Sequence, residues 1–406
     1  MAAERVRVVH VITRMILGGA QEDALLTLEG LRAGGAYEVG LVTGPETGSE
    51  GELLSRARAV GIPVRIVRPM RRCVSPALDL LAAAEIRRIL AETRPTIVQS
   101  HSSKAGILTR WAARRAGVPV VVHRIHGLAF HPFGGRTANA VFRTAERLAA
   151  PRADRLISVA YCLTRTCLEA GIGRPEQFVT IPTGVETKPY LEMSADTRER
   201  VRRELGFDQK DVVFVKVARL FELKGHEFVI EAASEVLKTV PRAKILFVGD
   251  GPRRDELERA ARALPSGVVR FTGLVAPERV PELLAASDCL VHASLREGLP
   301  RVFVQAHLAG LPVVAFDLDG APEIVADGET GRLVPARDVR AFARAMGEMG
   351  GDAAMRDSFG TLGRKRALER FSARALVRST DRLYRELLLG KRLPLPPGPG
   401  DLAGSD

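Results

Sequence analysis

Cysteines, aromatic residues and long apolar runs are all scarce in this sequence, and each scarcity excludes a class of protein. The four cysteines form no Cys-X-X-Cys pair and no Cys/His cluster with zinc spacing, so neither a disulfide framework nor a metal site is expected. Aromatic residues make up only 5% of the chain and do not interleave with the basic runs, which argues against a nucleic-acid partner. No apolar run approaches the roughly 18 residues of a membrane-spanning helix.

The amino-terminal segment, residues 1–19, is apolar but is interrupted by His10, Thr13 and Arg14. Such an interrupted run favours a first buried strand over the continuous apolar core of a signal peptide. We therefore expect a cytoplasmic protein.

The net charge of +12 is concentrated in the first part of the chain. Residues 1–185 carry 25 Lys and Arg against 15 Asp and Glu, whereas residues 186–406 carry 35 against 33. An anionic membrane surface or a phosphorylated acceptor would account for this excess, since each basic residue near anionic lipid contributes about 1 kcal/mol. An Arg-rich composition without a charged partner is the alternative interpretation.

The length and the hydrophobic pattern predict two α/β domains. The chain has 406 residues with 46% hydrophobic content, enough for two cores. Short β-branched runs alternate with helical patterns, and this alternation restarts after a Pro- and Gly-containing connection at 181–195, so two doubly wound parallel sheets are expected. The expected domains are residues 1–183 with a returning helix 372–389, then residues 184–371, and last a disordered tail 390–406.

The stretch 294–323 carries the strongest functional signal. Glu297 lies in a loop just before a helix start at Pro300, where free backbone N–H groups and the helix dipole favour a phosphate. Gln305 follows about two turns along that helix, so both side chains can border one pocket. A buried strand then leads to a loop rich in acid and glycine, 317–323, at the same end of the sheet. We interpret the stretch as a nucleotide-sugar site.

Three other loops follow predicted strands, at the sheet edge where such folds bind ligands. The loop 14–21 contains adjacent glycines, including Gly19, so its backbone can approach a phosphate closely. The loop 217–225 carries Arg219 and Lys224, two cations that can clamp a diphosphate. A tight turn follows the next strand at 248–254. For the loop 14–21 the alternative is a turn that binds no ligand, and for Arg219 and Lys224 the alternative is ordinary surface charge on a turn.

The ordered set of motifs resembles one known family. A GG loop, ARLxxxKG, VGDGP, FTG, SLREGLP, AGLPVVA and GAPEIV follow one another in the order typical of family 4 glycosyltransferases, which have the two-domain GT-B fold. The resemblance runs from Val6 to about Leu388. The segment 99–130 is similar to the bacterial branch that builds capsule, exopolysaccharide or other surface glycans.

The resemblance implies a retaining, metal-free transfer of a sugar from a nucleoside diphosphate, UDP or GDP, to a hydroxyl of a lipid-linked or surface-glycan precursor. It implies roles in catalysis for Glu297, His126, Arg219 and Lys224. It also implies donor contacts from Arg219, Lys224 and Gly19 to the diphosphate, from Val275 to the base, from Gln305 to the ribose, and from Glu297, Gly298, Leu299, Arg301 and Val302 to the sugar. His101 and Lys104 would lie on the acceptor side.

One position departs from the family pattern, because Gln305 stands where a second glutamate is usual. An amide still bonds a ribose diol but loses about 1 to 2 kcal/mol relative to a carboxylate. A catalytically silent nucleotide-sugar-binding scaffold therefore stays open as an alternative, as does a nucleotide-sugar 2-epimerase of the same fold. The basic amphipathic segment 136–155 predicts a peripheral contact with the inner membrane face, and a helix packed on its own sheet is the alternative.

Overall fold

A computed structural model describes residues 5–45 and 51–398 of the chain. The chain divides into two compact units: unit 1 is Met1–Gly184 with Ala373–Asp406, and unit 2 is Val185–Ser372. Each unit is built around one parallel β-sheet.

Unit 1 contains a seven-stranded sheet with helices between successive strands. Its described strands are β1 (Val6–Ile12), β2 (Tyr37–Thr43), β3 (Val64–Ile66), β4 (Ile97–His101), β5 (Val120–Ile125), β6 (Arg155–Ser158) and β7 (Phe178–Thr180). Its described helices are α1 (Gly19–Ala33), α2 (Leu54–Ala59), α3 (Pro76–Thr93), α4 (Ser103–Arg115), α5 (Arg136–Ala149), α6 (Tyr161–Glu169) and the last helix of the chain, α16 (Ala373–Gly390). The strand order is β3-β2-β1-β4-β5-β6-β7, and every pair is parallel.

The last helix, α16, belongs to the core of unit 1 although it follows unit 2 in the sequence. Its apolar residues recur at helical spacing, and Leu376, Val377, Tyr384 and Leu388 are buried with residues of β1 and β2. At Gly30 of α1, a side-chain methyl would meet Val377 at 2.4 Å, so the absence of a side chain allows α16 to pack closely.

Unit 2 repeats the architecture with six strands. Its described strands are β8 (Val212–Val217), β9 (Ala243–Val248), β10 (Val269–Phe271), β11 (Cys289–His292), β12 (Val313–Phe316) and β13 (Gly331–Val334). Its described helices are α7 (Lys188–Leu191), α8 (Ala195–Leu205), α9 (His226–Thr239), α10 (Arg254–Ala261), α11 (Arg279–Ala285), α12 (Arg301–Leu308), α13 (Ala321–Ile324), α14 (Val339–Gly351) and α15 (Ala353–Phe371). The strand order is β10-β9-β8-β11-β12-β13, again parallel throughout.

The two doubly wound parallel sheets expected from the sequence are confirmed. Strand β7 and the short helices α2, α6, α7 and α13 were not predicted from the sequence. Residues 390–398 of the segment expected to be disordered lie within the described part of the chain, where Arg385 donates hydrogen bonds to the carbonyls of Pro396 and Pro397 at 3.2 and 3.0 Å. The remainder of that tail lies outside the described residues. Among the described helices, none combines the length and the apolarity that crossing a membrane requires.

Candidate functional site

The predicted donor-binding loops of unit 2 all lie at one edge of its sheet. Because every strand is parallel, the loops that follow β8, β9, β10, β11 and β12 emerge together at the carboxyl edge. Strands β8 and β11 are direct neighbours, so the loop 218–225 after β8 lies beside the loop 293–300 after β11.

Close backbone contacts join these two loops. The amide of Leu295 and the hydroxyl of Ser294 both donate to the carbonyl of Leu223, at 2.8 and 3.0 Å. Gly225 adopts a left-handed conformation with φ of 67°, and a side-chain methyl there would meet the carbonyl oxygen of Ala293 at 1.8 Å. Only glycine fits this turn, and the turn brings Lys224 next to Glu297.

Glu297 is the centre of the site. Nζ of Lys224 donates to Oε1 of Glu297 at 2.7 Å, and Nε2 of His292 donates to the same oxygen at 2.9 Å. The backbone amide of Glu297 donates to Oδ2 of Asp319, in the loop after β12, at 2.7 Å. Three strand-end loops therefore fix the position of one carboxylate.

The electrostatics keep this carboxylate ionised. Burial by itself raises the pKa of Glu297, but the Lys224 ammonium and the His292 hydrogen bond together hold that pKa below its ordinary value. Burial lowers the pKa of His292 to about 4, with nearby Lys216 lowering it further and Glu297 opposing the shift. At neutral pH the site thus presents an ionised carboxylate and a neutral imidazole beside Lys224.

A second basic group lies behind the site, on β8. Lys216 is completely buried, and its Nζ has no hydrogen-bond partner among the described residues. Burial lowers the pKa of Lys216 to about 7; the Lys224 charge lowers it too, whereas Glu297 and Glu227 raise it. His226 is also buried, and its ring nitrogens have no hydrogen-bond partner within the same described set. Two titratable side chains, Lys216 and His226, are therefore buried in the core of unit 2 near Lys224.

The other predicted donor residues of unit 2 also lie at the carboxyl edge of its sheet, and they differ in exposure and in neighbouring side chains. Arg219 is exposed, with its guanidinium 4.9 Å from the centre of the Phe221 ring. Helix α12 begins at Arg301, so the amides of Arg301 and Val302 lie in its first turn, and Gln305 is half-buried one turn on. Val275 follows β10 and borders a shallow groove with Thr272.

The loop after β12 packs directly on the residues that precede α12. The amide of Gly320 donates to the carbonyl of Gly298 at 3.1 Å, and Leu299 is buried beside it. A side-chain methyl at Gly320 would meet that same carbonyl at 2.4 Å. The backbone around Gly298 and Leu299 is therefore fixed by its neighbours rather than by its own side chains.

Four predicted residues lie in unit 1. Gly19 is the first residue of α1, and His126 is partly exposed directly after β5. Lys104 forms an ion pair with Asp79 at 2.5 Å and donates to the carbonyl of Cys73. His101 is completely buried, with its ring nitrogens 3.1 Å from His10 and 2.9 Å from His126. His101 is therefore enclosed by its neighbours, and its place on the acceptor side stays a prediction.

Sequence reasoning did not single out His292, Lys216 or the specific role of Asp319. The signal for the first two was available, because each is a basic residue inside an otherwise apolar strand. Asp319 was included only as part of the acidic loop 317–323. In the structure its φ of 52° lies in the left-handed region, which few residues other than glycine adopt. Within residues 5–45 and 51–398, no group of three or more His, Cys, Asp or Glu side chains is arranged to hold a metal ion.

Comparisons with known protein families cover most of the chain. Residues 18–184 match the family described as "Glycosyl transferase 4-like domain". Residues 197–366 match the family described as "Glycosyl transferases group 1". The two matches correspond to the greater part of unit 1 and of unit 2.

Two curated relatives match over most of the chain. The chain is 28% identical over 347 residues, 84% of its length and 87% of the relative, to the UDP-Gal:alpha-D-GlcNAc-diphosphoundecaprenol alpha-1,3-galactosyltransferase of Escherichia coli. It is 31% identical over 338 residues, 81% of its length and 85% of the relative, to the GDP-mannose-dependent alpha-(1-6)-phosphatidylinositol monomannoside mannosyltransferase of Mycolicibacterium smegmatis.

A solved structure supports the architecture. Alr3699/HepE of Anabaena, crystallised in complex with UDP, superimposes with a TM-score of 0.80 over 94% of this chain and 100% of that chain, at 22% identity. At this level of identity the likeness concerns the fold.

Proposed function

Because the chain belongs to the family 4 glycosyltransferases of the GT-B fold, we propose that it is a retaining enzyme with a nucleoside-diphosphate sugar as donor and a hydroxyl as acceptor. The observation that carries this proposal is the Lys224, Glu297 and His292 cluster at the carboxyl edge of the unit 2 sheet. Such an edge is where α/β sheets bind nucleotides.

In the proposed reaction Lys224 and Arg219 neutralise the diphosphate as it leaves. A cation placed where negative charge develops contributes most in a site from which water is excluded. Arg219 is exposed and in reach of a ligand, whereas Lys224 is held at 2.7 Å from Glu297. A bound diphosphate would share the Lys224 ammonium with this carboxylate, so donor binding replaces part of an existing ion pair.

Glu297 is proposed to accept hydrogen bonds from hydroxyl groups of the donor sugar. Its ionised state at neutral pH suits that role, since a carboxylate accepts but does not donate. The bond from its amide to Asp319 orients the loop, and the amides of Arg301 and Val302 would face the same ligand.

The proposed stereochemistry is retention. In this scheme the acceptor hydroxyl attacks from the face that the diphosphate leaves, and an oxygen of the leaving group takes the proton. Stabilising the leaving group is then the main contribution of the protein. The proposal includes no metal ion, and a transfer rate that is unchanged in excess EDTA is the corresponding expectation.

The proposed donors are UDP- or GDP-linked sugars, because the two curated relatives are named for UDP-Gal and GDP-mannose and the solved structure contains UDP. The proposed acceptor is a lipid-linked glycan precursor, since both relatives are named for lipid-linked acceptors. A membrane-proximal acceptor also fits the basic charge of residues 1–185.

Helix α5 is the proposed membrane contact. Val141 and Leu148 are 63% and 58% exposed, and Arg143 and Arg147 are exposed on the same helix. One basic residue of the predicted segment 136–155 contacts another part of unit 1, however, because the Arg152 guanidinium lies 3.2 Å from the centre of the Trp111 ring. Flotation with anionic liposomes, compared with a Val141→Ser/Leu148→Ser variant, tests the contact. Equal flotation with neutral and anionic lipid would exclude an electrostatic contribution.

A binding experiment tests the donor site directly. Calorimetric titration with UDP, GDP, ADP and their common sugar conjugates is expected to identify one nucleotide, and Lys224→Ala should weaken its binding about a hundredfold. Lys238→Ala is the matched control, because Lys238 also pairs with a glutamate on unit 2 but lies near the other end of α9. No binding by the wild-type chain would contradict the proposal. Binding without donor turnover, even after acceptors are supplied, would favour the silent-scaffold alternative.

A further inference from the structure

Lys216 is buried in unit 2 close to the Lys224 and Glu297 pair, and its position follows from the pairing of β8 with β9. Lys216 is in register with Phe247 of β9, so the two side chains point to the same face of the sheet. Phe247 belongs to the core that α9 covers, and its ring centre lies 5.2 Å from that of His226, the first residue of α9. The Lys216 side chain is therefore enclosed beneath the first turn of α9.

Three features of this position oppose a positive charge on Lys216. The side chain is completely buried, and its Nζ has no hydrogen-bond partner in the part of the chain that the structure describes. The amino-terminal end of α9, which carries the positive end of the helix dipole, lies above it. Burial lowers the pKa of Lys216 to about 7, and Lys224 lowers it too. Near neutral pH Lys216 therefore gains or loses its proton in response to modest changes in the surrounding charge.

The charged and titratable side chains around Lys216 come from the loop 218–225, the start of α9, β11 with the loop after it, and the turn before α10: Lys224, His226, Glu227, His292, Glu297 and Arg253. Burial lowers the pKa of His226 to about 2 and that of His292 to about 4, so both rings are neutral at neutral pH. Glu227 is paired with Arg253 at 3.0 Å. Among these groups, Lys224 and Glu297 form the pair that a bound donor would change.

Binding of a diphosphate would alter the charge at this pair. In the structure Nζ of Lys224 lies 2.7 Å from Oε1 of Glu297, and the two charges offset each other. A diphosphate that shares Lys224 leaves Glu297 partly unpaired and adds negative charge of its own. At an effective dielectric constant of about 20, one uncompensated charge about 10 Å away changes a protonation equilibrium by about tenfold. The added negative charge thus favours the protonated form of Lys216.

We propose that Lys216 is a positioning residue of the donor site, which takes up a proton from solvent when a nucleoside-diphosphate sugar binds and then offsets the charge of Glu297 in place of Lys224. The inference rests on the proposed function, since the diphosphate is the proposed ligand. The only covalent change is the new N–H bond on Nζ of Lys216, which itself stays out of contact with the donor. Lys224 is thereby released to the diphosphate without leaving a buried carboxylate unpaired.

Calorimetric titration in two buffers of different ionisation enthalpy measures this proton uptake. The probes are UDP-galactose and GDP-mannose, whose diphosphates are esterified at both ends and do not titrate near neutral pH. At pH 8 the wild-type protein is expected to take up about half a proton for each nucleotide sugar bound. Because binding is then coupled to protonation, the donor Kd should rise about tenfold from pH 6.5 to pH 8.5.

Lys216→Met tests whether Lys216 carries the proton. Methionine fills the same space without a titratable group, so the variant should show no proton uptake and little change of Kd with pH. It should bind about tenfold more weakly than the wild-type protein at pH 6.5 and nearly as well at pH 8.5. Lys244→Met is the matched control, because Lys244 is a half-buried lysine on β9 that bonds the carbonyl of Gly267, and it should keep both properties. Unchanged proton uptake in Lys216→Met, or an equal loss of affinity at both pH values, would overturn the inference.

Carbon NMR of the full-length protein without ligand tests the ionisation of Lys216 independently of the donor. With lysine labelled at Cε, and Lys216→Met used to assign the signal, Lys216 is expected to lose its proton at a pH of about 7. A Lys216 that keeps its proton up to pH 9 would overturn the inference. Binding of a nucleotide sugar without proton uptake would overturn the coupling alone, whereas no binding of either probe would count against the proposed function and overturn the coupling with it.

Discussion

Replacing Lys216 with methionine should make unit 2 more stable, and the gain should depend on pH. Lys216 is completely buried on β8, and within the described part of the chain its ammonium finds no hydrogen-bond partner. Methionine has a similar length and flexibility and no charge, so it should fill the same space without the desolvation of an amine.

The expected gain in the free energy of unfolding follows from the pKa of Lys216, which burial lowers from 10.5 to about 7. Each pKa unit corresponds to about 1.4 kcal/mol, so keeping the lysine protonated in the folded state costs about 5 kcal/mol at pH 6.5. Between pH 7 and 10.5 the unfolded chain binds more protons at this residue than the folded chain does. The stability of the wild-type protein therefore rises with pH across this window, and the advantage of Lys216→Met should shrink to about 1 kcal/mol near pH 9.5.

Urea unfolding followed by hydrogen exchange is the appropriate assay. Peptides from β8 and β9 report on unit 2, whereas the single tryptophan, Trp111, lies in unit 1. Lys244→Met is the matched control on the neighbouring strand, since Lys244 is only half-buried and bonds the carbonyl of Gly267. A stability difference that does not vary between pH 6.5 and 9.5, or a less stable Lys216→Met protein at both, would refute the reasoning.

Three further predictions concern the donor site. Gln305→Glu should leave the donor Kd unchanged or lower it by up to about tenfold, as titration measures; loss of activity would show that Gln305 does not face the ribose. Asp319→Asn keeps an acceptor for the Glu297 amide and tolerates the left-handed backbone, so donor KM should rise only about fivefold. Asp319→Ala removes the acceptor and should raise donor KM further, and equal effects of the two changes would argue against this bond. Gly225→Ala should destabilise unit 2 by more than about 2 kcal/mol in urea unfolding, because its new methyl meets the Ala293 carbonyl; a smaller loss would show that the turn relaxes.

The sequence predicted the regular elements well where the strands were buried on both faces. The β-branched run 212–217 predicts a strand with the bounds that β8 has in the structure, because a short β-branched run between turn residues has few alternatives. The run 120–126 predicts a strand that includes His126, whereas β5 ends at Ile125 and His126 follows it directly. The family assignment from the ordered loop motifs is confirmed by the comparisons.

Long-range pairings were beyond the reach of the sequence. The motifs placed Lys224 and Glu297 at strand ends, but their 2.7 Å contact depends on β8 and β11 being neighbours, which a one-dimensional pattern does not specify. The bond between His10 and Tyr384 joins residues 374 apart, on the first strand and the last helix. His10 is a basic residue inside an otherwise apolar strand, but that signal does not identify Tyr384 as its partner. The roles assigned to the individual donor residues stay predictions until ligand-binding data test them.

The stereochemistry of donor cleavage tests the central claim most directly. The donor identified by titration is incubated with the enzyme without acceptor, and the anomer of the sugar that is released first is followed by proton NMR before mutarotation. A retaining transferase is expected to release the anomer that has the configuration of the donor, at a rate that falls about a hundredfold in Lys224→Ala. Initial release of the opposite anomer, or release that is unaffected by Lys224→Ala, would contradict the account.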